Sequence, residues 1–278
     1  MNAPFAPQSS PVYRSVSLGR IGAVMLRHFY LMRSSWPRLA ELIYWPLVQM
    51  LMWGFLQSYL NQHSGVLAAA GGSLIGAILL WDVLIRGQLG LSVSFLEEMW
   101  ARNMANLLIS PLRPGEFLAA LMAMSVVRLF IGLIPVSLLA IWFFGFNLWG
   151  LGIGLAAFFA NLLLTGWAVG IVVSGLILRN GLGAEGIAWT VMFLVLPLCA
   201  VFYPVAVLPG FLQVVAWSLP PTYVFEGMRA IMFNHTFRAD LMVEALAINA
   251  VLITVGCFVF LKLVDSGRRI GSLMAIGE

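Results

Sequence analysis

Long apolar runs, nearly free of charge, fill most of this sequence and decide what it can fold into. A helix that crosses a bilayer needs about 20 mostly apolar residues. Six such runs can be marked, at 42–60, 67–95, 117–146, 148–178, 186–208 and 241–264. Only 9% of the 278 residues are charged, whereas a soluble domain carries about 25% to cover its surface. The mean hydropathy of +0.98 leaves lipid as the solvent for the apolar area. The expected fold is therefore an all-α membrane protein with six transmembrane helices. Residues 1–38 form an N-terminal tail with a surface helix, 39–265 a single membrane domain, and 266–278 a C-terminal tail. No signal-like segment precedes the first run, so that run is expected to direct insertion.

Charge placement sets an orientation. Fourteen of the 15 basic residues are arginine, and the net charge is +4. Arg14, Arg20, Arg27, Arg33 and Arg38 precede the first run. Arg102, Arg113, Arg179, Lys262, Arg268 and Arg269 fall on the same side if six spans are counted. Only Arg229 and Arg238 lie opposite. The positive-inside rule then places both termini in the cytoplasm of a multi-pass protein. Arginines between apolar runs suit lipid headgroups, and nothing here has the basic stripe of a nucleic-acid binder.

Two segments outside the spans have shapes of their own. Leu18, Ile21, Val24, Met25, Phe29 and Met32 recur at three- and four-residue steps. That spacing predicts an amphipathic helix lying on the inner membrane surface, with arginines toward phosphate, or an ordinary helix packed on a partner. Residues 203–231 are apolar but broken by Pro204, Pro209, Pro220 and Pro221. Neither half is long enough to cross, so short re-entrant helices on the outer side are expected.

Catalytic signatures are missing. There is no phosphate-binding G-x-x-x-x-G-K-[ST] sequence, and Lys262 is the only lysine, so the chain is not a P-loop ATPase. His28, His63 and His235 lack metal-ligand spacing. Cys199 and Cys257 lie inside apolar runs as small packing residues. Three charges do sit inside spans. Asp82 and Arg86 are four apart and share a helix face. Arg128, counted up from residue 117, reaches the height of Arg86, so Asp82 can pair with either arginine or bridge both. The trio either lines a polar path or staples the second and third spans together.

The loop 97–116 is the most informative stretch. Glu97 and Glu98 suit a helix N-terminus, Trp100, Met104, Leu107 and Leu108 give a short apolar face, and Pro111 and Pro114 stop it. Arg102 lies within the same helix. Such a helix fits a groove in a partner. The string Leu107 to Phe117, LLISPLRPGEF, resembles the loop of ABC-2 type membrane subunits of ABC transporters, where S-P-[LI]-x-P-x-E follows a cytoplasmic coupling helix. Phe202, Pro204, Pro209, Pro220, Tyr223, Glu226 and Arg229 are similar in order to that family's outer re-entrant segment. The resemblance covers essentially the whole chain. It implies the type V exporter fold and a homodimer in a bacterial inner membrane. It also implies two cytoplasmic ATP-binding subunits that hold ATP and magnesium, with no cofactor on this chain. By that likeness the 97–110 stretch would dock into the ATPase, and a lipid, drug or saccharide would pass between the two copies. A secondary transporter or a non-transporting assembly factor is the alternative reading of the apolar spans alone.

Overall fold

The computed structural model of the chain describes residues 16–63, 73–103, 106–107 and 110–270. All regular structure among them is helical. The order is α1 (Leu18–Arg33), α2 (Trp36–His63), α3 (Ser73–Trp100), α4 (Pro114–Phe144), α5 (Ile153–Asn180), α6 (Glu185–Leu198), α7 (Gly210–Trp217), α8 (Pro220–Asn234) and α9 (Ala239–Ile270). Five of these, α2, α3, α4, α5 and α9, are long and apolar enough to cross a membrane. A 28-residue helix spans about 42 Å at 1.5 Å per residue, which exceeds the ~30 Å hydrocarbon core.

The fifth apolar run departs from expectation. Instead of one helix over 186–208, α6 stops at Leu198 after 14 residues, about 21 Å. Ala200 then adopts a left-handed backbone with φ 49°, and Pro204 has no N–H with which to resume a helix. Hydropathy does not register such a break, because the apolar character continues across it.

At the centre of the bundle lies α3, packed on α2, α4 and α5. Leu79, Leu80, Val83 and Leu84 are buried there. Glycine permits its closest approach to α5. A Cβ built on Gly166 would lie 2.6 Å from the Leu84 carbonyl oxygen, and one on Gly170 3.0 Å from the Gln88 carbonyl. The Gly166-x-x-x-Gly170 spacing puts both on one face, the small-residue seam that membrane helices use where lipid offers no hydrophobic drive. Between α5 and α9, Thr165 donates to Asn249 Oδ1 at 2.7 Å, and Asn249 donates to Asn161 at 3.1 Å. By contrast, α2 turns Trp45, Met52, Phe55 and Tyr59 outward, and α9 turns Val243, Val251 and Phe258 outward. Such apolar faces match a hydrocarbon surround rather than water.

A helix, α1, forms within residues 16–36, where a surface helix was expected, but its arginines are placed differently. Arg20 and Arg27 do not both point away toward headgroups; they turn inward to Glu116 and Glu98. His28 and Met32 are buried beneath them, while Leu18, Leu26 and Tyr30 are exposed. Carboxylates at the ends of α3 and α4 capture the helix and so redirect its polar side.

Candidate functional site

Helix α3 runs through Glu97 and Glu98 to Trp100. These acids therefore sit in its last turn and not at the N-terminus of a following helix, as their local sequence had suggested. Carboxylates oppose the helix dipole there, and cations from distant segments offset them. Glu98 is 1% exposed. It meets Arg27 at 2.9 Å, His28 Nε2 at 3.4 Å, and the Asn103 amide, which donates at 2.7 Å. Glu97 meets Arg38 at 3.3 Å, Arg128 at 3.2 Å and His28 Nδ1 at 3.7 Å. His28 is fully buried between the two acids, and neither ring nitrogen makes an aligned hydrogen bond.

A second knot joins the start of α1 to the start of α4. Pro114 opens α4, where its missing N–H costs nothing. The Glu116 carboxylate reaches back to accept the Arg113 backbone N–H at 3.0 Å, one half of a capping box. It also accepts from the Ser17 N–H at 2.8 Å and from Arg20 Nε at 2.8 Å. The glutamate of the S-P-L-R-P-G-E string thus ties α1 to the end of the loop.

Between these knots the loop leaves α3 through a Schellman turn. The Asn103 N–H donates to the Glu98 carbonyl and the Arg102 N–H to the Met99 carbonyl. Arg102 itself is left-handed, φ 52°, where glycine is the usual residue. Trp100 is half exposed at 49% and Arg102 is exposed. Leu107 donates its N–H to Asn103 and packs on the core around Phe95, Phe117 and Ile177. Met104 and Leu108 lie outside the described residues.

The three intramembrane charges separate into two pairs. Gly90 of α3 lies against Ser125 of α4, so on antiparallel helices Arg86 and Arg128 do lie at similar height. Their side chains diverge. Arg86 Nε donates to Asp82 at 2.5 Å, whereas Arg128 extends toward Glu97, so Asp82 does not bridge both. Arg86 Nη2 also donates to the Leu42 carbonyl on α2. That carbonyl is four residues before Pro46, which sits inside α2 and has no N–H to offer it. Gly132 leaves room for the guanidinium, since a Cβ there would lie 2.6 Å from it. Asp82 and Arg86 are 8% and 9% exposed. They tie α3 to α2 rather than to α4, which only makes room for the guanidinium at Gly132.

At the other end of α3, Gly76 lies against Met228 and Met232 of α8. The proline-broken segment here is two short helices, α7 and α8, after a tight turn at Val205–Val207. Pro204 and Pro209 flank that turn and Pro220 is the first residue of α8. Side chains from α8 occupy the backbone groups these breaks leave open. Tyr223 donates its hydroxyl to the Trp217 carbonyl at 2.8 Å. Glu226 accepts the Val205 N–H at 2.8 Å, and Arg229 donates to the Val201 carbonyl at 3.3 Å. Arg229 also pairs with Glu226 at 3.1 Å.

Arg20, Arg27, His28, Arg38 and Glu116 belong to this constellation, yet local sequence did not single them out. These long-range partners are 59 to 99 residues away, beyond any helical or hairpin spacing. Only Glu116 carried a signal, as the acid two residues after Pro114. Among the described residues no group of three or more His, Cys, Asp or Glu side chains is arranged to hold a metal ion.

Over residues 21–233 the sequence matches the family described as ABC-2 type transporter. No curated protein matches the chain.

Proposed function

This chain belongs to the ABC-2 type transporter family, and on that premise we propose that it works as the permease of an ATP-driven exporter built around two copies of itself. The family makes it a transmembrane permease of an ABC transporter. The finer reading is a homodimer in a bacterial inner membrane, joined by two cytoplasmic subunits that bind ATP and magnesium. Export of a lipid, drug or saccharide-type substrate belongs to the same reading.

In this proposal α6 and the residues after it complete a sixth span, both termini are cytoplasmic, and α1 lies at the inner interface. Helices α7 and α8 dip into the outer leaflet and return, which is tolerable because Tyr223, Glu226 and Arg229 satisfy the open backbone. The loop between α3 and α4 is the contact with the ATPase. The observation that supports this is the pair of ionic knots, at Glu97–Glu98 and at Glu116, with exposed Trp100 and Arg102 beside them. A push on the loop would be carried by charge pairs into α1, α3 and α4 together, rather than absorbed by a loose connection.

Co-purification from native membranes, scored for a bound ATPase, tests the contact. Trp100→Asp is the discriminating variant, since Leu107 is packed on the core and Leu107→Asp disturbs the fold as well. The expected result is a folded permease that has lost its ATPase. Full retention of the ATPase by Trp100→Asp and by Arg102→Glu would sink the assignment.

A further inference from the structure

Three arginines surround the loop at its end of the bundle. Phe95 of α3 packs on Phe117 of α4, ring centres 5.7 Å apart, and on Phe260 of α9 at 6.3 Å. A Cβ on Gly175 of α5 would lie 3.2 Å from Phe260. These contacts set one level across the bundle. Arg102 follows Phe95 by two turns, Arg113 precedes Phe117 by one, and Arg179 follows Gly175 by one, so all three stand beyond that level. Arg102 and Arg179 are exposed and Arg113 is half-buried. The nearest acids are already taken: Glu98 by Arg27, Glu97 by Arg38 and Arg128, and Glu116 by Arg20. Among the described residues, none of the ion pairs involves Arg102, Arg113 or Arg179. Glu185 at the start of α6 and the Lys262 and Asp265 of α9 share this end, and the balance around the loop stays positive.

Two of these charges sit where the local backbone disfavours them. Arg102 is left-handed, φ 52°, in the place of a glycine. Arg113 is the N-cap residue of α4, at the end of the helix dipole that repels a cation. The Schellman turn and the Glu116 cap fix the backbone that carries both. Lipid headgroups accept arginine in many positions and need no such fixed array, whereas a folded partner selects by the placement of charge. We propose that the surface of the ATP-binding subunit that receives this loop is acidic, with carboxylates facing Arg102, Arg113 and Arg179 and an apolar pocket for Trp100. The inference rests on the reading of the loop as the ATPase contact; it adds the chemistry of the opposing face and extends the footprint to the end of α5.

Co-purification of the full-length chain from native membranes in maltoside, at low and at high salt, tests it, with the ATP-binding subunit identified by mass spectrometry. Wild type is expected to hold the ATPase at low salt and to lose it several-fold at high salt, because salt screens exposed charges. Arg113→Glu/Arg179→Glu is expected to lower the recovered ATPase at least tenfold at low salt, and Arg113→Lys/Arg179→Lys to keep most of it. Both leave the Arg113 N–H for Glu116. Arg179→Glu alone, on the exposed last turn of α5, is expected to lower recovery several-fold and decides the matter if the double reversal does not fold. Undiminished recovery in Arg179→Glu, or binding indifferent to salt, overturns the acidic surface and leaves the contact through Trp100 standing. Absence of any ATPase from wild type at either salt overturns the reading of the loop itself. In nanodiscs, a stabilisation by phosphatidylglycerol over phosphatidylcholine that Arg179→Glu abolishes while keeping its ATPase assigns the charge to headgroups and overturns the proposal.

Discussion

The two ends of the bundle use their charges differently. At the end of α3 that carries Glu97 and Glu98, charge meets charge: Arg27, Arg38 and Arg128, with His28 between, converge on two carboxylates. At the proline-broken end, charge also meets backbone: Glu226 and Arg229, paired with each other at 3.1 Å, hold the Val205 N–H and the Val201 carbonyl. Arg86, between the ends, does both. The first arrangement binds separate helices into one unit and depends on ionisation. The second repairs a chain that apolar surroundings would otherwise punish, and depends on hydrogen-bond geometry.

The largest effect is expected where the two roles coincide. Arg86→Met leaves Asp82 buried without its cation and should cost about 3–5 kcal/mol, read as thermal unfolding in detergent. Pro46→Ala gives the Leu42 carbonyl back an N–H partner. In that background the same substitution should cost about 1 kcal/mol less. A double-mutant cycle with no coupling would show that Arg86 serves Asp82 alone.

Next comes the amide test at each end. Glu98→Gln keeps the shape but strips the charge that Arg27 and His28 share, with an expected loss of about 3 kcal/mol and faster proteolysis at the Ser34–Ser35 turn as α1 loosens. Glu226→Gln keeps an oxygen for the Val205 N–H, so the expected loss is about 1 kcal/mol. Equal losses at the two ends would erase the distinction between them.

This distinction also marks what could be read from sequence. Helices α2, α3, α4, α5 and α9 were legible because an apolar run longer than the hydrocarbon core has little choice but to be helix. Some of their ends run past the expected bounds, as at Trp36 and Trp100, because polar and aromatic flanks continue the same backbone hydrogen bonding. The break after Leu198 was hidden, since Cys199 to Tyr203 are as apolar as what precedes them. Residues that repair local backbone were partly visible: Tyr223, Glu226 and Arg229 stand within about 30 positions of the groups they serve. The carboxylate knots were not. Glu98 and Arg27 are 71 positions apart, and only the packed fold brings them together. The height of Arg86 and Arg128 followed from counting, but which way each side chain turned depended on Pro46 in one case and on Glu97 in the other.

The smallest predicted effect concerns the joint between the ionic knots and the exposed loop. Arg102 holds a left-handed backbone, which costs a side-chain-bearing residue about 1–2 kcal/mol, so Arg102→Gly removes strain. Part of the gain is returned, because glycine loses more freedom on folding, and the net expectation is about 0.5 kcal/mol of added stability. Arg102→Ala keeps the strain and drops the charge. If Arg102 is retained for its charge toward a partner, ATPase stimulation falls equally in both variants although only one is stabilised. If the strained turn itself is what the partner reads, Arg102→Gly falls further than Arg102→Ala. Stability rising with undiminished coupling in Arg102→Gly would mean that neither the charge nor the strain is used, and that the contact rests on Trp100.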